Sequence, residues 1–261
     1  MMGDYHVRFC ERLRGETPLC LLDKKKSINR LVKIMNIKEI AEEILGRKIL
    51  DDEGIHRLKI EECEESLKIK IPIILKDFYG LLGNNFLFTK GYQEFAKLDE
   101  LFINDNKLVF LQENQGVVYW AIDMKDSKTI YQTTNQNFDE KVEWYKEEFE
   151  LEKFVEMLIY FQCVMSDDYS HSESESGFEH FASLDADYYY KNKETKTYID
   201  NLSQEYKRVI NGNGLTIYWK PDSIIMYFVN QEGELSDMIL NRTKNDLELE
   251  KLVEEFGFGE L

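Results

Sequence analysis

His171, Glu173, Glu175, Glu179 and His180 lie close together in the chain. Imidazoles and carboxylates so grouped are the donor types that hold zinc or another divalent cation. The stretch carrying them, SDDYSHSESESGFEH over 166–180, is acidic and rich in Ser. Such composition reads as a solvated loop, and preorganised ligands sit on rigid elements, so no metal site is expected. Carboxylate pairs occur at Asp167-Asp168 and at Asp185 and Asp187. Acid–base chemistry needs such pairs converging in a cleft, whereas in a chain with 50 acidic residues a solvated acidic face is the expectation. Histidine, the commonest catalytic base, occurs four times, at His6, His56, His171 and His180. No GxxxxGK[ST], GxGxxG, HExxH or GxSxG pattern is present. No catalytic, cofactor-binding or metal-ligating residue is therefore assigned, and no cofactor is expected.

Binding remains. Tyr188-Tyr189-Tyr190 cannot all face one core, because adjacent side chains spread round a helix and alternate along a strand. At least one ring is expected at the surface, where tyrosine is a favoured interface anchor, unless it lies flat on the protein itself. The candidate partner-binding residues are Asp167, Asp168, Glu173, Glu175, Asp185, Asp187, Tyr188, Tyr189 and Tyr190. Net charge supports this choice. At −17, from 33 basic and 50 acidic residues, the chain repels phosphate backbones and attracts basic proteins. Nucleic acid is not expected as a partner. Neither is a membrane, since no apolar run approaches the roughly 20 residues of a span. Cys10, Cys20, Cys63 and Cys163 form no CxxC pair and follow no secretory signal, which reads as reduced thiols in a cytoplasmic protein.

The elements that must position these residues emerge from periodicity. Residues 1–34 hold eight Lys/Arg against four Asp/Glu and show no clear period, so they are read as an atypical extension. At Met35 order begins. Asn36 with Glu39 forms a capping-box pattern, and Ile37, Ile40, Ala41, Ile44 and Leu45 share one helical face. A helix is expected to open at Pro72, with Leu75, Phe78, Tyr79 and Leu82 inside and Gly83-Asn84 as its stop. Residues 56–71 fit either a short helix or a strand. Leu108–Leu111, Val117–Ile122 and Thr129–Tyr131 read as an antiparallel meander. Leu151, Phe154, Val155, Leu158, Gln162 and Met165 share a helical face. Tyr198, Leu202, Tyr206 and Val209 suggest another helix, ended by NGNG at 211–214. Leu215–Trp219, Ser223–Val229 and Asp237–Leu240 read as strands. Thr243 with Asp246 is expected to cap a last helix that Gly257 ends. This order is α+β, a mainly antiparallel sheet flanked by helices.

Between KLVFL and VVYWAI stands the polar QENQG. Gly116 can take positive φ and Asn114 tolerates it, so the segment reads as a hairpin turn with Glu113 and Gln115 projecting outward. The whole stretch FLQENQGVVYWAID also resembles the strand–turn–strand signature of the SUKH (SMI1/KNR4) superfamily. Other pieces follow in the family's order: Ile71-Pro72, the aromatic pair Phe78-Tyr79, the Gly83-Asn84 helix end, and LEKFVEMLIYF. Ile71 stands where Leu is commoner, and Gly83-Asn84 reverses the usual Asn-Gly. The resemblance runs from about Met35 to Leu261 and is best over 60–165. It implies a single SUKH-like domain over 35–261 with an acidic loop near 166–180. It further implies a non-catalytic bacterial immunity protein that neutralises a cognate toxin domain, often a nuclease or deaminase. The alternative it carries is a regulatory or scaffold module that binds an endogenous protein.

Overall fold

A computed structural model describes residues 37–135, 137–138, 140–165 and 177–260. The extension over 1–34, the Asn36 cap and the acids Asp167, Asp168, Glu173 and Glu175 lie outside the described residues.

The first helix, α1 (Ile37–Leu45), buries Ile40, Ala41, Ile44 and Leu45, the face its spacing requires. The ambiguous stretch is helical: α2 (Arg57–Leu67) starts where His56 Nδ1 accepts the Leu58 N–H. Next comes α3 (Ile73–Leu82), with Pro72 as its N-cap and Leu75, Phe78, Tyr79 and Leu82 buried. Gly83 ends α3 with φ −63°, not in the left-handed region. Close approach demands glycine there, because a Cβ would stand 2.6 Å from the Tyr79 carbonyl oxygen and 2.7 Å from Ile55. A single turn, α4 (Phe86–Thr89), leads into the first sheet.

That sheet contains β1 (Gln93–Phe95), β2 (Phe102–Asn104), β3 (Lys107–Glu113), β4 (Tyr119–Asp123), β5 (Thr129–Thr133) and β6 (Tyr145–Glu150). Its order is β1-β3-β4-β5-β6, with β2 also paired to β3, and every pairing is antiparallel. The expected meander is its centre. In the QENQG turn Gly116 alone is left-handed, at φ 67°. Glu113 does not project outward; it is fully buried, because its carboxylate turns back to accept the Gln115 N–H at 2.9 Å. The polar residues between the two apolar strands thus satisfy the turn's own amides.

From β6 the chain enters α5 (Leu151–Met165), buried on almost every side. A helix apolar all round must lie inside, and α5 packs on α1, α3, α4 and β6 on one hand and on the second sheet on the other. The second half comprises β7 (His180–Asp185), α6 (Ala186–Lys191), α7 (Lys193–Asp200), a 3-10 turn at Leu202–Gln204, β8 (Lys207–Gly212), β9 (Leu215–Lys220), β10 (Ser223–Val229), β11 (Leu235–Thr243), α8 (Asp246–Phe256) and β12 (Gly259–Glu260). The second sheet runs β12-β7-β11-β10-β9-β8, again antiparallel throughout.

Several expectations fail here. The helix through Val209 stops at Asp200, and residues 207–212 form β8 instead. NGNG is not a helix end: Asn213-Gly214, at φ 55° and 68°, is the two-residue turn joining β8 to β9. The cap of α8 is Asn245, whose Oδ1 accepts the Leu247 and Glu248 N–H groups, and not Thr243, whose hydroxyl donates to the Asp222 carbonyl. His180 likewise leaves the acidic loop, since it opens β7 with Nε2 2.7 Å from Asp246 Oδ1.

The second sheet separates two apolar layers. Along β10, Ile224 and Met226 join a core continuous with α5 and the first sheet, while Ile225 faces α6, α7 and α8. The architecture is α+β, with antiparallel sheets flanked by helices. Among the described residues, no helix is long and apolar enough to cross a membrane.

Candidate protein-binding surface

The expected cluster at 185–190 forms the corner between β7 and α6. Asp185 is the N-cap of α6, its Oδ1 accepting the Asp187 N–H at 2.7 Å. Asp187 pairs with Lys191 one turn on, at 3.2 Å. Both partners are well exposed, so the pair adds little stability.

The three tyrosines separate as helical geometry demands. Tyr189 points inward at 8% exposure, which removes it from the binding surface. Its hydroxyl donates to Asp200 Oδ1 at 2.9 Å, and Lys196 Nζ approaches that hydroxyl at 3.3 Å. Burial first, and then the hydrogen bond to Asp200, push the Tyr189 hydroxyl pKa upward. Tyr188 and Tyr190 stay 42% and 47% exposed. Each leans partly on its own protein. Tyr188 lies over Gly257, where a Cβ would come within 2.5 Å of the ring. The Tyr190 hydroxyl reaches the Leu235 carbonyl at 3.3 Å, and its ring meets Tyr189 edge-on at 4.9 Å.

Neighbouring helices extend the surface with groups that sequence did not single out. Lys196 sits over the Tyr189 ring at 4.7 Å and the Tyr190 ring at 5.6 Å. Tyr198 and Phe256 stack at 3.9 Å, with Lys251 over both rings. Next to Phe256, Glu254 and Glu255 are exposed. No local signal announces this grouping, because it depends on contacts among three helices, of which α8 lies far along the chain from α6 and α7. The rings supply apolar area of the kind that anchors a protein interface, and the face carries both the Lys196 and Lys251 ammonium groups and the Glu254 and Glu255 carboxylates.

A second polar group lies beneath this face. The Tyr206 hydroxyl donates to Glu248 Oε1 at 2.6 Å and stands 3.0 Å from Ser223 Oγ, which accepts from Asn241 at 2.9 Å. Lys220 completes it at 2.9 Å from Glu248. Burial opposes ionisation of Glu248, but the Tyr206 and Lys220 hydrogen bonds outweigh it and hold the carboxyl below its usual range. Ser223 has no exposed surface and only Lys220 and Glu248 reach partly to solvent, so the group mainly ties α8 to β9 and β10. Among the described residues, no group of three or more His, Cys, Asp or Glu side chains is arranged to hold a metal. Cys63 and Cys163 are both buried, and the Cys63 thiol donates to the Leu98 carbonyl at 3.2 Å.

Comparison with known proteins returns nothing: no family model, no curated protein and no solved structure matches the chain.

Proposed function

We propose that this chain is an immunity protein of the SUKH type that acts in the cytoplasm, binding and neutralising a cognate toxin domain without catalysing a reaction. A nuclease or deaminase is the favoured target, because the groove that holds nucleic acid is basic and an acidic surface can plug it. The observation that carries the reading is the α6–α8 face, where exposed Tyr188 and Tyr190 stand in a chain of net charge −17. Buried tyrosines near the centre of an interface are its usual energetic anchors, and long-range charge speeds the encounter.

The test is co-expression. The toxin domain encoded beside this gene is expressed in a sensitive bacterium with and without the full chain. Rescue of growth, with a stable complex on a sizing column, is the expected result. Toxicity that persists, or a harmless neighbour, would overturn the reading in favour of a scaffold module with an endogenous partner.

A further inference from the structure

Where β1, β4 and β6 of the first sheet meet α5 and the β8–β9 turn there is a cavity of about 30 Å³. Its polar lining is Gln93, Glu147 and Asn213, and its apolar lining includes Trp120, Phe154 and Phe161. Glu147 joins the two sheets. Its Oε1 accepts from Trp120 Nε1 at 2.8 Å and its Oε2 from Asn213 Nδ2 at 2.7 Å. Each carboxyl oxygen keeps a further lone pair. Gln93 is 2% exposed, and its Oε1 is buried without a hydrogen-bond partner. A buried acceptor without a donor is costly and uncommon, so something that donates belongs beside it.

Size and chemistry narrow the occupant. A water needs roughly 10–15 Å³ of such space, so the cavity admits one or two water-sized molecules and no organic substrate. The free positions are acceptors, which suits a donor and repels an anion. We propose that the inter-sheet cavity binds a water-sized hydrogen-bond donor, ammonium or water, which donates to Gln93 Oε1 and the Glu147 carboxyl and thereby closes the contact between the two sheets.

The full chain is prepared free of ammonium and melted across a series of ammonium chloride, with sodium chloride at matched ionic strength. A crystal structure at high resolution is read at the cavity in parallel. If ammonium is the occupant, Tm rises and saturates with ammonium but not sodium, and Gln93→Leu abolishes the rise. If water is the occupant, neither salt has a specific effect. A peak then stands about 2.7–3.2 Å from Gln93 Oε1 in the wild type and is absent in Gln93→Leu. Should Gln93→Leu fail to fold, Gln93→Met carries the same comparison. An empty cavity with no ammonium-specific shift would overturn the proposal.

Discussion

Two buried glutamates show how one residue type is driven in opposite directions by its partners. Glu53 accepts hydrogen bonds from Arg47 Nη1 and Nη2, each at 2.8 Å, from the Leu50 N–H and from Asn85 Nδ2. The Arg47 pair first, against the opposing effect of burial, lowers its pKa from 4.5 to about 2. A depressed carboxyl stabilises the fold above its unfolded value and loses that contribution as pH falls from 4.5 towards 2. Glu53→Gln is expected to lower stability by about 1.5–3 kcal/mol near neutrality, the difference from wild type shrinking across that acid window in urea titrations. Glu147 runs the other way. Burial raises its pKa and Glu148 adds to the rise, against the Asn213 and Trp120 hydrogen bonds. Its native form holds its proton longer than the unfolded chain does, so stability falls as pH climbs above 4.5. Glu147→Gln is expected to flatten that decline. An unchanged slope in the variant would remove Glu147 as its source.

At the scale of the element, the C-terminus of α8 is the most exacting position. Gly257 takes φ 75° and lies under the Tyr188 ring, so both backbone and packing reject a side chain. Gly257→Ala is expected to cost about 1–3 kcal/mol in chemical denaturation. Adding Tyr188→Ala should recover the part due to the clash and leave the part due to the left-handed backbone. Gly257 as a helix stop was legible, since glycine after an apolar-periodic run is a strong signal. So were α1 and α3, whose buried faces follow from spacing alone, and β10, whose continuous apolar run fits a strand covered on both sides. β6 was not, because YKEEFE has neither alternation nor an apolar run and becomes a strand only by pairing with β5. The segment 198–209 misled for the converse reason. Leu202 and Tyr206 are both buried and spaced as in a helix, yet they enter the layer between sheet and helices from a 3-10 turn and from the residue just before β8.

For the whole molecule, the proposed function rests on a net charge of −17 and on the exposed rings of Tyr188 and Tyr190. Tyr188→Ala with Tyr190→Ala is expected to weaken toxin binding by about 2 kcal/mol or more, as anchor residues do, while growth rescue fades. Glu254→Lys with Glu255→Lys is expected to slow association roughly 10-fold at low salt and to reduce its dependence on ionic strength, with dissociation little changed. On-rates that match wild type across the salt series would place the contact elsewhere.

The sequence by itself determined the α+β class, the four or five strongly periodic elements, the lack of phosphate-cradling and zinc-protease motifs, and that three consecutive tyrosines could not all face one core. Only the tertiary structure decided which tyrosine went inward, that Glu113 folds back into its own turn, that the strands form two sheets about α5, and that Lys196, Tyr198 and Phe256 gather beside Tyr190 and Tyr188. The reason is range. Periodicity over one or two turns is a local record of which face an element will bury. Pairing between strands, and the burial of a polar group against a donor dozens of residues distant, depend on the closure of the whole chain.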